Sequence, residues 1–119
     1  MKTLTHEGIK AQFAQVASVQ RQALSIEGFS HAGVLVPLLS SRNGLELLFT
    51  KRTESVETHK GQISFPGGMV DASDEDIIHT ALREAHEEVG LPRSCVDIVG
   101  ILDDMTTPTG FVITPVVGI

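Results

Sequence analysis

The sequence predicts an α/β fold, a mixed β-sheet with helices packed on it. Three observations carry this. Apolar residues recur at helical spacing in two stretches, about 5–25 and 74–89. Short runs rich in Val, Ile and Leu lie between and after them. The resulting order, helix, strands, helix, strands, sets helices against a sheet of mixed direction. A chain of 119 residues suits one domain over 1–119, and a hydrophobic content of 41% is enough for a core.

The elements follow in order. In 5–25, Ile9, Phe13 and Val16 form the apolar side, Thr5 is placed to cap the start, and Gly28 lies past the end. "HAGVLVPLL" (31–39) and "LELLFTKR" (45–52) read as strands of a hairpin around the turn signal "RNG". "TESVETHK" (53–60) is a polar loop, and "QISF" (62–65) a short strand ended by Pro66-Gly67-Gly68. A helix is expected from Asp74 to Val89, capped by Ser73 or Asp74 and stopped by Gly90 and Pro92. Its stripe is Ile78, Ala81, Leu82, Ala85 and Val89, with small residues at 81 and 85 for close approach to a sheet. "CVDIVGIL" (95–102) and "FVITPVVGI" (111–119) read as two more strands.

Composition excludes several classes. The net charge of −6, from 15 acids and 9 bases, argues against nucleic acid as the main partner. One cysteine, Cys95, excludes a disulfide within the chain, points to a reducing compartment, and reads as a packing residue. No apolar run approaches the length of a membrane span, and "MKTLTHEGIK" lacks an apolar signal region. A soluble cytoplasmic protein is expected.

The second helix gathers Glu84, Glu87 and Glu88 near its C-terminal end, where the helix dipole disfavours negative charge. Spacings of three and four put these side chains on one flank, and like charges there repel. Only Arg83 and, in part, His86 offset this. A bound cation reverses the sign of the effect. Hard divalent ions such as Mg²⁺ take carboxylate oxygens and accept phosphate oxygens as well. The Pro66-Gly67-Gly68 backbone either admits a phosphate group or holds a tight turn.

"REAHEEVGL" (83–91) resembles the second half of the Nudix box, G-x5-E-x7-R-E-U-x-E-E-x-G-U, where U is aliphatic. The first half is one residue longer, so Asp74 counted from the glycine, or Glu75 counted back from Arg83, takes the place of the first Glu. This spacing, with "FTKRT", "HKGQISFPGG" and "TALREAHEEVGL", is similar to the coenzyme A pyrophosphatase branch of Nudix hydrolases. The chain departs from that signature at Thr53, in place of Ser or Ala, and at Glu57, in place of Arg.

The resemblance covers most of 31–119 and implies a Nudix-like α/β/α sandwich that here lacks the usual C-terminal part. It implies hydrolysis of a nucleoside diphosphate derivative. For coenzyme A the products are phosphopantetheine and adenosine 3′,5′-bisphosphate. By the same resemblance Glu84, Glu87 and Glu88 hold Mg²⁺ or Mn²⁺, and Arg83 orients a glutamate; these four form the catalytic set. Arg52 and Lys60 are expected to meet substrate phosphates beside Gly67 and Gly68.

Four further readings remain. His79 and His86, two helical turns or about 10 Å apart, cannot share an ion and are expected to face solvent. His59 reads as a loop residue. Asp103 and Asp104 either approach the metal site or start the loop to Gly110. The apolar end "FVITPVVGI" is expected to be uncovered, which predicts a two-fold homodimer burying part of 111–119.

Overall fold

The computed structural model describes residues 5–16, 21–41, 44–51 and 63–119. Among them two helices and eight strands follow one another. They are α1 (His6–Val16), β1 (Ser30–Ser41), β2 (Gly44–Leu47), β3 (Thr50–Lys51), β4 (Ile63–Ser64), β5 (Gly67–Met69), α2 (Ile77–Val89), β6 (Ile98–Ile101), β7 (Met105–Thr106) and β8 (Phe111–Gly118), with a 3-10 turn at Arg93–Cys95.

The parallel pair β1–β8 is the spine of the sheet, in register from Ser30 opposite Phe111 to Pro37 opposite Gly118. The other pairs are antiparallel. The outer edge of β1 holds β5 along residues 32–34 and β2 along 38–41. The outer edge of β8 holds β7 and then β6. Strands β3 and β4 make a separate two-stranded ribbon.

Alternation along the spine separates two faces. On one, Leu35 and Val116 meet Ala81, Leu82 and Ala85 of α2, and Ile77, Ile78, Leu91 and Ile101 close around them. Gly33 lies under Thr80, where a side chain at 33 would come within 3.1 Å of the threonine. The other face is reached at β6. Ile101 points toward α2, so Gly100 faces the opposite way, and the ring of Phe13 from α1 fills the space a side chain at 100 would need. The helices thus sit on opposite faces of a mixed sheet, the expected α/β/α layering.

Several boundaries differ from the expectation. The first helix is described over His6–Val16, 17–20 lie outside the described residues, and 21–26 is not helical. That segment instead pairs with the loop after β6: Asp104 N–H donates to Gln22 O (2.9 Å) and Leu24 N–H to Asp104 Oδ2 (2.9 Å). Thr5 does cap α1, accepting from Gly8 N–H at 3.0 Å. The strand expected over 45–52 is two, and β7 has no apolar run to announce it. Pro66-Gly67-Gly68 is not a turn, because Gly67 and Gly68 pair with Val34 and Gly33. Cys95 is exposed rather than packed. Strand β8 is the central strand, with Val112 and Val116 fully buried. Paired with β1 on one side and with β7 and β6 on the other, it offers no free edge, which corrects the expectation that this apolar segment is uncovered.

Leu35 sits at the contact of α2 with the spine. Leu35→Ala is expected to cost about 2–5 kcal/mol, while Leu39→Ala, at an exposed position of the same strand, should stay within about 0.5 kcal/mol. Denaturant unfolding of the two variants measures both.

Candidate active site

Helix α2 starts later than expected. Asp76, not Ser73 or Asp74, is its N-cap, accepting from His79 N–H at 2.8 Å. Gly90 ends the helix in the left-handed conformation (φ 72°), its N–H donating to His86 O. Releasing Asp74 from capping leaves its carboxylate for another task. The turn Asp71–Asp74 presents it: Asp74 N–H donates to Asp71 O and Asp71 N–H to Asp74 Oδ2, both at 2.9 Å. The side chain is fully buried. Glu75 is exposed, so of the two acids the spacing left open, Asp74 faces Arg83.

Arg83 is the centre of the site. Its Nε donates to Asp74 Oδ1 (2.9 Å) and its Nη2 to Asp74 Oδ2 (3.0 Å), a bidentate pair. Nη2 also reaches the carbonyl of Met69 (3.0 Å), tying α2 to the end of β5. Nη1 donates to Glu84 Oε1 at 2.8 Å and to Glu87 Oε2 at 3.5 Å. Thr80 Oγ1 adds a bond to Asp74 at 2.8 Å. The hydrogen bonds from Arg83, with those from Asp71 N–H and Thr80, hold the Asp74 carboxyl well below the usual range against the opposing effect of burial. The same partnership raises the pKa of Arg83.

Glu84 lies against the glycine pair. A Cβ at Gly68 would overlap the Glu84 carboxyl group, 2.6 and 2.7 Å from its oxygens. A Cβ at Gly67 would stand 2.6 Å from the Gly33 carbonyl. The glycines are therefore needed for close approach, Gly67 to β1 and Gly68 to Glu84, with no positive φ at either. Glu87 is 57% exposed, and Glu88 is exposed on the following turn. Among the described residues no three carboxylate, imidazole or thiol groups stand close enough to share one ion. Arg83 brings Glu84 and Glu87 together; the structure does not bring all three glutamates to a point. In kind, the donor set fits a hard divalent ion: oxygen ligands on successive turns, with glycine backbone alongside.

Other expected residues fall elsewhere. His86 is exposed as expected, but His79 is half-buried, its Nδ1 accepting from Glu75 N–H at 3.2 Å. Arg52, Thr53, Glu57, His59 and Lys60 lie outside the described residues.

Asp104 was underestimated by sequence reading. Its side chain is only 4% exposed. It accepts from Arg21 Nη1 (2.6 Å), Thr114 Oγ1 (2.6 Å) and Leu24 N–H. Burial pushes this carboxyl up, but the bonds from Thr114, Leu24 and Arg21 outweigh it and leave the pKa lowered.

The Nudix domain model matches residues 29–117. The chain belongs to the Nudix family. The protein named "Uncharacterized Nudix hydrolase NudL" from Enterobacter sp. (strain 638) is 51% identical over 88 residues, 74% of this chain and 45% of that protein. The chain thus spans a little under half the length of this curated relative. Among solved structures, the Nudix hydrolase RenU of M. smegmatis superimposes with a TM-score of 0.62 at 22% identity, over 78% of this chain and 62% of that one. The Nudix domain of Shewanella oneidensis NrtR, solved with ADP ribose, gives 0.57 at 18% identity over 88% and 67%. These two likenesses show the fold. Nudix hydrolases generally use divalent metal ions.

The buried pair predicts a pH dependence. The Asp74 pKa is lowered in the fold, against about 3.9 in the unfolded chain. The unfolded chain therefore binds more protons in acid, and the stabilisation, complete above the unfolded pKa, is lost as pH falls through the folded one. Asp74→Asn should lower the melting temperature at neutral pH and flatten its decline between about pH 5 and pH 2. Thermal unfolding across that range measures it.

Proposed function

We propose that the chain is the catalytic part of a metal-dependent diphosphate hydrolase whose substrate is coenzyme A or one of its thioesters. The observation that carries the hydrolase reading is Arg83 holding Glu84 and Glu87 while locked by buried Asp74. The coenzyme A reading is supported by the longer spacing from Gly68 to Arg83 and by "HKGQISFPGG".

Glu84, Glu87 and Glu88 are the residues that would hold Mg²⁺ or Mn²⁺, which supplies neutralisation of the diphosphate and a more acidic bound water. The chain's own contribution is orientation. Asp74 and the Met69 carbonyl fix the guanidinium from behind, so its Nη1 presents Glu84 at a set position over Gly68. Gly68 keeps that approach open, since any side chain there displaces the carboxylate. The half-buried position of Glu84 strengthens its electrostatic interactions relative to water, and Glu87 and Glu88 are exposed on the turn that follows. For coenzyme A, cleavage of the P–O–P bond by water gives phosphopantetheine and adenosine 3′,5′-bisphosphate.

A second reading is hydrolysis of ADP-ribose or another nucleoside diphosphate derivative. It is favoured by Glu57, an anion where the signature carries arginine, and accords with the ADP ribose bound by the NrtR domain. A module that binds nucleotides without cleaving them is the third outcome of the same assay.

Glu84→Gln, Glu87→Gln and Glu88→Gln are each expected to reduce metal-dependent hydrolysis at least about 10²-fold, with the melting temperature without metal equal or higher for the variants at exposed Glu87 and Glu88. Full activity in all three would remove the metal site. Against coenzyme A, ADP-ribose, dinucleoside polyphosphates and nucleoside triphosphates, coenzyme A should have the highest kcat/KM. Rapid ADP-ribose turnover without coenzyme A turnover would establish the second reading, and tight binding with no turnover the third.

A further inference from the structure

We propose that the cleft beside the end of β5 and the start of α2 is the subsite for an uncharged, amide-bearing arm of the substrate, such as the pantetheine chain of coenzyme A. This rests on the diphosphatase reading above and adds to it a place for the part of the substrate remote from the nucleotide. The cleft has a volume of ≈ 640 Å³ and opens where residues 21–24 pass over the sheet.

Three features fix the chemistry of its occupant. First, Leu24, Met69, Val70 and Ile77 give it apolar walls, suited to methylene and methyl groups. Second, Arg21 stands in the wall as a fixed donor. Both bonds that hold it come from Nη1, to Asp104 Oδ1 at 2.6 Å and to the Leu102 carbonyl at 3.4 Å. Among the described residues its Nε and Nη2 are left as donors for a ligand. Asp104 is itself held by Thr114 and Leu24, so the guanidinium is positioned before anything binds. Third, Arg21 and Asp104 cancel each other's charge. The paired charges offer a phosphate little attraction, whereas an amide carbonyl needs only the donor; Ser30, His31 and Thr114 complete the polar lining.

Met69 links the cleft to the candidate active site: it lines the cleft, and its carbonyl accepts from the same Arg83 that holds Glu84. An arm leaving a diphosphate at Glu84 passes β5 to reach Arg21.

Ala23 lines the cleft at an exposed position, so Ala23→Trp fills the space without disturbing Asp104; an unchanged melting temperature checks this. In the ¹⁵N-labelled wild type, pantetheine without phosphates should shift the amide resonances of Leu24, Val70 and Asp104, and Ala23→Trp should abolish the shifts. With coenzyme A as substrate, Ala23→Trp should raise KM by about tenfold, the loss appearing in KM rather than kcat. The proposal is overturned if pantetheine shifts none of these amides, if adenosine 3′,5′-bisphosphate shifts them instead, or if Ala23→Trp leaves KM unchanged. Pantetheine binding without coenzyme A hydrolysis would refute coenzyme A as the hydrolysed substrate and leave the cleft assignment standing.

Discussion

The guanidinium of Arg83 is the constraint on which the site depends. Arginine has five N–H donors in a rigid plane, and this one directs them to Asp74, the Met69 carbonyl, Glu84 and Glu87. These partners come from the loop before α2, from β5 and from α2 itself. The position of the helix over the sheet edge and the position of the glutamates are therefore set by one side chain. A lysine, with three donors on a single nitrogen, lacks the flat fork that the paired bonds to Asp74 require. Apolar packing of Ala81, Leu82 and Ala85 on Leu35 and Val116 fixes how far α2 stands from the sheet; Arg83 fixes its other edge.

Residues whose role follows from local pattern were legible in the sequence. The stripe at 81, 82 and 85 is buried as its period requires, and Gly90 ends the helix. Val89, in the same stripe, is exposed because it lies at the last turn, beyond the sheet. Thr80 escaped the pattern, since its hydroxyl looks polar; it is buried because Gly33 makes room and Asp74 satisfies the hydroxyl. The central place of β8 was also hidden, because an apolar run reads alike at an edge and in a spine. Asp104 was the largest miss. Its partners at 21, 24 and 114 are distant in sequence, and no spacing rule links them.

The choice between Asp74 and Glu75 shows why spacing alone left the site ambiguous. Counting assigns positions along the chain, but a turn converts count into direction. The paired bonds between Asp71 and Asp74 fold the extra residue into a tight turn. That turn aims Asp74 inward and leaves Glu75 in solvent. Capping by Asp76 completes the division, so three consecutive acids take three different environments.

Charge balance then links this local order to the chemistry. Asp74, Glu84 and Glu87 share one guanidinium, and Asp74 takes two of its bonds. Each glutamate therefore receives only part of a compensating charge, and Glu87 at 3.5 Å the weakest part. In a chain of net charge −6, a diphosphate approaching this flank meets repulsion that Arg83 has no remaining donors to relieve. The same unbalanced carboxylates are what attract a divalent cation. Under the proposed function, the arrangement that makes the helix less stable by itself would couple an anionic substrate to a metal ion, with Asp74 committing Arg83 elsewhere.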